Sequence, residues 1–456
     1  MVPDRGPFAR RLRRVRSSGP IVVPTRLGQA LRYLRAAARA LAAPPRPARS
    51  AAGPAAVAAA TDEYNAAAEG HWASMAADPE ARGQLLQKPF ASLREAPAML
   101  YRLGLALDAL DLGVGHTVLD FGAGSCWVSR VLNRLGCRTV SVDVSPTALR
   151  LGEEGFRGDP FVRAELGPRF LPYDGRTLPL EDASVDRVLC FDAFHHVPNP
   201  REILAELHRV TRPGGRVVMA EPGAGHAHSA SAVFEGEHYG VLENELVLEE
   251  LIADARGAGF DDFEIKPYAE VDNLTLTAPA HLQLLAGDHS LYPLHHVVAS
   301  LRELHVVAML KGRPRRDSRK PGVLRARIDA GAAGSLEGPP GGEVRVPVRV
   351  SNTGDTLWLA AEDPVGGGYV CLGGHLHDAD GRALRVGFFT QPLPRDVAPG
   401  ESVATEARLV LPDAAGSYGL RLDMVDVRVA WFSQVGSPTT DLKLEVRPPG
   451  AGAPKA

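Results

Sequence analysis

Cysteine is scarce in this 456-residue sequence, and long apolar runs are missing from it. The four cysteines form no CxxC pair and no Cys/His cluster with zinc spacing, so they predict reduced, packed thiols in a cytoplasmic protein. No run of about 18 apolar residues occurs, which predicts that no transmembrane helix is present. The basic N-terminus has no continuous apolar segment, which argues against a secretory signal. The cysteines are Cys126, Cys137, Cys190 and Cys371.

Acidic residues are nearly missing from the first 50 positions, which hold 12 arginines and one acid, Asp4. The whole chain carries a formal net charge of −3, so residues 51–456 carry −14. That balance argues against nucleic acid as a partner of the folded part, because phosphate binding needs a basic face on the domain. Helical spacing of apolar residues allows an amphipathic helix over Thr25–Ala43 that would contact an anionic membrane. A disordered tail is the alternative, which the Ala- and Arg-rich composition favours.

Short apolar strands alternate with helices through the middle of the chain. Strands are predicted at His116–Phe121, Thr139–Val144, Arg187–Phe191 and Arg216–Ala220. Helices are predicted at Ser125–Leu135, Pro146–Glu154, Pro200–Thr211 and Glu243–Ala258. Further helix, interrupted near Asp288 and Pro293, is predicted over Pro279–Leu310. Apolar strands that alternate with helices form parallel sheets covered on both faces. The predicted fold class of this part is therefore α/β, a Rossmann-like doubly wound and mostly parallel sheet.

Two carboxylates flank a glycine-rich turn after the first predicted strand. The turn is Gly122–Gly124, where glycines let the backbone pass close to a ligand. Asp120 precedes it, and Asp143 ends the second strand about twenty residues later, where a carboxylate can accept both ribose hydroxyls of a nucleoside. A nicotinamide dinucleotide would need a third glycine where Val128 stands, and Asp120 would repel its pyrophosphate. The pattern therefore favours S-adenosylmethionine (SAM), which has a cationic methionine end and no pyrophosphate.

Three further strings follow the turn in order. They are Asp174–Asp186 (DGRTLPLEDASVD), Phe194–Val197 (FHHV) and Arg212–Gly215 (RPGG). With them, the middle of the chain resembles the class I SAM-dependent methyltransferase family that includes the ubiquinone and menaquinone C-methyltransferases. Cys126 departs from the family pattern, because many members have a third glycine at that place.

The resemblance implies a SAM cofactor and assigns a role to each matching position. Asp120, Gly122, Ala123 and Gly124 would hold the methionine end, Asp143 the ribose, and Asp174 with Gly175 the adenine. For Asp174, a loop or capping residue is the alternative. Helices before the first strand often cover this site in the family, so His71 and Trp72 are candidates for a lid, unless Trp72 is an ordinary packed residue.

Methyl transfer depends largely on proximity and orientation, but an oxygen or carbon acceptor can need a base. His195 and His196 are the predicted catalytic residues, because a histidine has a suitable pKa and ligands of such sheets bind at the carboxyl ends of the strands. Asp192 and Glu221 are further candidates. The alternative is that one histidine packs structurally near SAM. The residues His226, His228, His238 and Tyr239 form a loop that either lines an acceptor pocket or lies at the surface. No metal site is predicted.

Beyond a basic linker, residues alternate with period two between short turns, which predicts an all-β antiparallel sandwich. It resembles Ig-like sandwiches of bacterial surface-polysaccharide enzymes. Its Trp358 and Trp431 are either core residues, the commoner case, or platforms for sugar rings. The predicted boundaries are a tail at 1–60, a helical cap at 61–115, the SAM-binding domain at 116–310, a linker at 311–322, the sandwich at 323–448 and a tail at 449–456.

These features together predict a SAM-dependent methyltransferase. Its expected acceptor is a hydroxyl of a cell-surface glycan or of a lipid-linked precursor, and its expected partners are small molecules or glycans without nucleic acid. We expect a cytoplasmic protein with peripheral membrane contact through the N-terminal helix. Two alternatives stay open: a quinone or natural-product methyltransferase, and a non-catalytic glycan-binding or assembly protein with a vestigial SAM fold. The intact residues Asp120, Gly122, Gly124 and Asp143 argue against the latter.

Overall fold

The computed structural model describes residues 54–223, 226–269, 276–288, 294–314, 316–331, 334–360 and 366–448. The chain divides into two compact units, an N-terminal unit up to residue 314 and a C-terminal unit from residue 315, which also includes the short segment 113–116. The predicted helix at Thr25–Ala43 and the predicted tail at 449–456 lie outside the described residues. Within the described ranges, no helix is long and apolar enough to cross a membrane.

A seven-stranded sheet lies at the centre of the N-terminal unit. Its strands are β1 (Thr117–Phe121), β2 (Arg138–Asp143), β3 (Arg169–Pro172), β4 (Val185–Phe191), β5 (Thr211–Ala220), β6 (Asp262–Pro267) and β7 (His305–Leu310). They are ordered β3-β2-β1-β4-β5-β7-β6, and the first five pair in parallel while β7 runs antiparallel to β5 and β6. Every residue of β4 is buried, as expected for a strand covered on both faces. The predicted α/β fold class is confirmed.

Helices cover the sheet and precede it. They are α1 (Pro54–Ala77), α2 (Pro79–Gln87), α3 (Ala96–Leu110), α4 (Trp127–Arg134), α5 (Pro146–Arg157), α6 (Pro200–Val210), α7 (Ala230–Tyr239), α8 (Leu248–Ala258), α9 (Ala278–Leu285) and α10 (Leu294–Glu303). Local sequence explains where several begin. Asp78 accepts hydrogen bonds from the backbone N–H groups of Glu80 and Ala81 at the start of α2, and Ser145 accepts one from Ala148 at the start of α5. A proline follows each cap, where its fixed φ suits the first helical turn.

The seventh strand corrects the prediction of helix over Pro279–Leu310. Helices α9 and α10 occupy the first part of that range, but His305–Leu310 is strand β7, with five of its six residues buried. A six-residue apolar run does not distinguish a buried strand from a buried helical turn by its periodicity. The place between β5 and β6 in the sheet decides the outcome, and sequence periodicity carries no information about it.

The C-terminal unit is built of strands. These are β8 (Ala326–Asp329), β9 (Ser335–Gly338), β10 (Glu343–Asn352), β11 (Val370–His377), β12 (Ala383–Pro392), β13 (Ser402–Val410), β14 (Gly416–Asp426), β15 (Ala430–Trp431) and β16 (Thr440–Val446). One sheet has the order β13-β10-β8, and the other has the order β12-β11-β14-β16-β9 with β15 on β14. All pairs are antiparallel except β16 with β9. This confirms the predicted antiparallel, strand-rich C-terminal region.

Residues from both sheets of the C-terminal unit share one hydrophobic core. Val348 of β10, Leu372 of β11 and Leu420 of β14 belong to it, as does Trp358, whose side chain is fully buried. Trp358 is therefore a core residue, and it offers no face to a sugar ring. Within the stretch predicted as linker, Ser318 is buried, and its hydroxyl donates to the carbonyl of Gly368 at 2.8 Å.

Candidate cofactor and acceptor site

The glycine-rich turn follows β1 and brings backbone close to two neighbouring strands. The backbone N–H groups of Gly122 and Ala123 both donate to the carbonyl of Val142 in β2, at 2.9 and 3.0 Å. Gly122 has φ of +67°, and a Cβ placed on it would lie 2.4 Å from the Cβ of Ala193, just after β4. A side chain therefore cannot fit at position 122. The carboxyl ends of β1, β2 and β4 meet here, as the sequence predicts for a ligand site.

Asp143 lies at the end of β2 and is joined to the turn by hydrogen bonds. One carboxylate oxygen accepts from the backbone N–H of Gly124 at 2.8 Å, and the other accepts from Ser145 at 2.9 Å. Burial raises the pKa of Asp143 to about 6, against the lowering effect of these backbone donors. Its side chain lines a cleft of the unit, so the residue predicted to bind the ribose is accessible to a ligand.

Asp120 stands beside the turn, but its carboxylate is engaged with α4. It accepts hydrogen bonds from the backbone N–H and the hydroxyl of Ser129 at 3.0 and 2.6 Å. That hydroxyl is also 2.7 Å from the hydroxyl of Ser141 in β2. Burial raises the pKa of Asp120 to about 6. In this structure Asp120 ties β1 to α4 and does not line the cleft, and its contact with a methionine moiety stays a prediction.

Asp174 and Gly175 lie in the loop after β3, under helix α1. The Asp174 side chain is largely exposed and accepts from the backbone N–H groups of Arg176 and Thr177, both at 2.8 Å, which lower its pKa against a raising effect of burial. Gly175 has φ of +79°, and a Cβ there would lie 2.8 Å from Asn65 of α1. Asp174 thus shapes a turn in this structure, and its adenine contact stays a prediction.

A cleft of about 730 Å³, open to solvent, runs past Asp143. Its walls come from α1, from the carboxyl ends of β1, β2 and β4, and from the chain around α7. The lining residues are Tyr64, Ala68, His71, Trp72, Phe121, Gly122, Asp143, Val144, Tyr173, Asp192, Ala193, His196, Val197, Glu235 and Val241. Backbone, aromatic rings and titratable side chains therefore line one cavity.

Helix α1 covers one side of this cleft. Tyr64, Ala68, His71 and Trp72 recur at the spacing of one helical face, and a Cβ on Gly124 would lie 2.9 Å from the Trp72 ring. His71 and Trp72 are the lid candidates predicted from the sequence, and both line the cleft. Tyr64 was not predicted, although its helical spacing from Ala68 and His71 is a signal that could have found it.

A buried, hydrogen-bonded histidine and glutamate follow β4 and β5. His195 Nδ1 lies 2.7 Å from a carboxylate oxygen of Glu221, and both side chains are buried. The Glu221 carboxylate also accepts from the backbone N–H groups of Ala193 and Phe194 at 3.1 and 3.0 Å. Burial alone would raise the pKa of Glu221, but the hydrogen bond and charge of His195 and these backbone donors hold it at about 2. Glu221 therefore fixes the orientation of His195.

His196 is the predicted catalytic residue that lines the cleft. Its Nδ1 lies 2.7 Å from the carbonyl of Leu242, and burial together with the charge of His195 lowers its pKa to about 4. Such a ring is neutral at neutral pH. His195 differs, because burial lowers its pKa while the stronger combined effect of Glu221, Glu243 and Asp192 raises it. The two histidines thus lie side by side, with ring centroids 3.8 Å apart, in different protonation environments.

Two glutamates at this end of the cleft were not foreseen from sequence. Glu243 is buried and lies 3.0 Å from Nε2 of His226, so one histidine of the predicted acceptor loop reaches the site. Burial and the charge of Glu243 raise the pKa of Glu235 to about 7. Asp192 also lines the cleft, and it is paired with Arg102 of α3. Neither glutamate stands in a recognisable motif, so only the fold brings them to the histidines.

Comparisons with known proteins place a methyltransferase domain in this unit. Residues 119–219 match the family model of a methyltransferase domain. A 37.1 kDa uncharacterized protein from transposon Tn4556 of Streptomyces fradiae is 38% identical over 120 residues, which are 25% of this chain and 33% of that protein. An uncharacterized methyltransferase of Mycobacterium bovis is 34% identical over 137 residues, 27% of this chain and 50% of the relative. The chain thus spans a third to a half of these curated relatives.

Solved structures similar to the chain include two proteins of low identity. Phosphoethanolamine N-methyltransferase 2 of Haemonchus contortus, solved with SAM, is 18% identical and covers 50% of this chain and 55% of its own, with a TM-score of 0.36. YcgJ from Bacillus is 16% identical and covers 46% of this chain and 99% of its own, with a TM-score of 0.33. The cofactor of the methyltransferase domain matched over residues 119–219 is SAM.

Proposed function

We propose that the protein transfers a methyl group from SAM to an acceptor bound at the carboxyl ends of β4 and β5. The observation that carries this proposal is the shared cleft. Asp143, at the end of β2, and His196, after β4, line the same cavity, with the Gly122 turn between them. The wall at Asp143 therefore suits a nucleoside, and the wall at His196 offers a side chain that can accept a proton.

The residues of the cleft fit SAM. The backbone at Gly122 approaches so closely that a Cβ would overlap Ala193, and Asp143 offers a carboxylate for a ribose. The rings of Phe121 and Tyr173, with centroids 5.7 Å apart, give an apolar surface nearby. Bound there, SAM supplies a methyl carbon whose bond to sulfur breaks, with the electron pair left on sulfur, as a nucleophile attacks. The chain's own contribution is binding and orientation.

Helix α1 and the two histidines would exclude water and accept a proton. The α1 side chains close one side of the cleft, which limits the access of water to the reacting groups. His196 is neutral at neutral pH and faces the cleft, so it can take a proton from an acceptor. Glu221 holds His195 in one orientation beside it.

For the acceptor, we propose a hydroxyl of a cell-surface glycan or of its lipid-linked precursor. The C-terminal strand unit supports this proposal, because Trp431 is only half-buried and lies against His375, with ring centroids 4.3 Å apart. A tryptophan at a surface combines an apolar ring with a polar N–H group, which suits contact with a ligand that has apolar and polar faces. A cytoplasmic location, peripheral membrane contact and an Ig-like class for this unit stay predictions.

A quinone or natural-product acceptor is the second candidate. It is favoured by the apolar lining of the cleft beside His196, where Val197 and Val241 contribute. The two candidates differ in the class of molecule that would carry the methyl group.

Transfer of labelled methyl groups tests the proposal. The full chain is incubated with methyl-labelled SAM and with separated glycan, lipid and quinone fractions of bacterial envelopes. We expect label in the glycan or lipid-linked glycan fraction, and loss of that label in Asp143→Ala. Asp262→Ala is the matched control, since Asp262 is an exposed carboxylate at the opposite edge of the sheet. Label in quinones alone would overturn the glycan proposal. Label in no fraction would contradict the proposal that this protein transfers methyl groups to these acceptors.

A further inference from the structure

Two histidines and a glutamate converge at the acceptor end of the cleft. One ring nitrogen of His195, one of His196 and one carboxylate oxygen of Glu243 all lie within 4.8 Å of one another. His195 Nε2 is 3.7 Å from Glu243 Oε2, and His196 Nδ1 is 3.6 Å from Glu243 Oε1. His196 Nδ1 also donates to the Leu242 carbonyl at 2.7 Å, so an ion bound at this nitrogen would displace that proton and its hydrogen bond. Ligand atoms at about 2.1 Å from a tetrahedral ion stand roughly 3.4 Å apart. The three side chains therefore already have nearly the spacing of a metal site.

An outer layer of polar groups supports this cluster. An ionised carboxylate only accepts hydrogen bonds, so the proton between His195 and Glu221 is on His195 Nδ1, and Nε2 is the ring nitrogen that faces Glu243. A carboxylate behind a metal-binding histidine is the usual arrangement in metal sites, because it fixes the ring and its tautomer. On the other side, His226 Nε2 lies within hydrogen-bond distance of Glu243, at 3.0 Å. Supporting groups of this kind orient the ligands of a bound ion.

From this arrangement we infer that His195, His196 and Glu243 bind one divalent transition-metal ion. Two imidazoles and one carboxylate suit zinc and its first-row neighbours better than magnesium or calcium, which prefer oxygen ligands. Three protein ligands leave a fourth position open. We assign that position to the oxygen of a hydroxyl-bearing acceptor, an assignment that rests on the methyl transfer proposed above.

The ion's chemistry defines the acceptor class. Coordination to a divalent metal lowers the pKa of a bound hydroxyl group. With the ion bound, His196 is a ligand and no longer the base, so the acceptor proton leaves to water. The oxygen keeps the electron pair that forms its new bond to the methyl carbon, as the bond from that carbon to sulfur breaks with its pair on sulfur. An alcohol or phenol gains from this activation, whereas a neutral amine already has its lone pair. The site therefore selects hydroxyl acceptors.

Metal titration of the full-length chain tests the site directly. The purified protein is freed of metal by dialysis against a chelator and titrated with Zn²⁺ alone by calorimetry, and with Co²⁺ by visible absorption. We expect one equivalent of either ion, with the intense visible bands of four-coordinate Co²⁺. His196→Ala and Glu243→Gln should weaken Zn²⁺ binding more than about 100-fold, and Glu221→Gln about 10- to 100-fold.

His228→Ala is the matched control, because His228 lies in the same loop as His226 and pairs with Glu245 at 3.8 Å, outside the cluster. It should bind Zn²⁺ like the wild type. Circular dichroism measures whether each variant is folded. Glu243→Gln is nearly isosteric with the wild type, so it still tests the site if His196→Ala does not fold. One-equivalent binding retained in Glu243→Gln, or no binding by the wild type, overturns the inference.

A small oxygen ligand tests the open position. Acetohydroxamate added to the Co²⁺-loaded chain should shift the visible bands, whereas unchanged bands would show a closed site and overturn the acceptor role. A SAM titration of the same sample separates this inference from the proposed function. Metal binding without SAM binding would support the metal site and contradict the proposed methyl transfer. SAM binding without metal binding would support the methyltransferase proposal and overturn the metal site.

Discussion

Gly122 occupies the closest approach between the turn after β1 and the chain after β4. Gly122→Ala and Gly167→Ala both place a Cβ at positive φ, +67° and +61°, but only the first meets another atom, the Cβ of Ala193 at 2.4 Å. The conformational cost of roughly 1–2 kcal/mol is common to both. Overpacking should cost Gly122→Ala roughly 1–3 kcal/mol more. Urea unfolding measures the difference, and equal midpoints for the two variants would contradict the close approach.

Asp426, at the end of β14, is a fully buried carboxyl group in the C-terminal unit. Neither of its oxygens has a hydrogen-bond partner among the described residues. Burial, with a further effect from the charge of Asp317, raises its pKa from 3.8 to about 8. The folded state thus binds a proton more tightly than the unfolded state, so this group's contribution to stability is present at acidic pH and is lost as pH rises toward 8.

The isosteric change Asp426→Asn removes that dependence. The variant should equal the wild type near pH 4 and exceed it increasingly up to about pH 8, by up to about 1.4 kcal/mol per pH unit. Denaturant unfolding of both proteins at several pH values, followed by tryptophan fluorescence, measures the difference. A wild-type advantage that grows with pH would show that the carboxylate is stabilised in its charged form.

At the scale of elements, helix α1 is held against the start of α5 by Glu69. Its carboxylate accepts from the hydroxyl of Ser145 at 2.6 Å and from the backbone N–H of Thr147 at 3.2 Å. Such contacts contribute about 1 kcal/mol each in partly exposed positions. Glu69→Ala should therefore speed amide hydrogen exchange in α1 and weaken SAM binding several-fold. Glu63→Ala, an exposed position on the same helix, is the control. Equal exchange in both variants would show that Glu69 does not fasten α1.

The elements show what can be predicted from sequence and what cannot. Strands β1, β2, β4 and β5 lie where the apolar runs predict them. A strand of a parallel sheet that is covered on both faces needs apolar residues along its whole length. Strand β7 was missed, since its apolar run is equally compatible with buried helix. The alternation of apolar runs with helices therefore predicts the first strands of the sheet, whereas the place of β7 depends on its tertiary contacts with β5 and β6.

The functional site likewise contains residues that the sequence predicts and residues that it does not. Glycine turns and strand-end carboxylates leave a local signal, so Gly122 and Asp143 were found and lie together. Glu243 comes from a distant segment and carries no motif, so its place beside the histidines follows only from the folded chain. Asp120 was identified by position, but its hydrogen bonds to Ser129 depend on the packing of α4.

For the whole molecule, the two units have separate cores. The core of the C-terminal unit is built from residues 324–446, and the cores around the sheet come from the N-terminal unit. All the cofactor-side and acceptor-side groups described here belong to the N-terminal unit. The proposed chemistry therefore uses groups of that unit.

The central claim is that the cleft beside Gly122 and Asp143 holds SAM. Isothermal titration of the full chain with SAM measures it most directly. We expect one site per chain, at least tenfold weaker in Asp143→Ala and unchanged in Asp262→Ala. No heat of binding from a folded wild-type protein, or equal affinity in Asp143→Ala, would contradict the account.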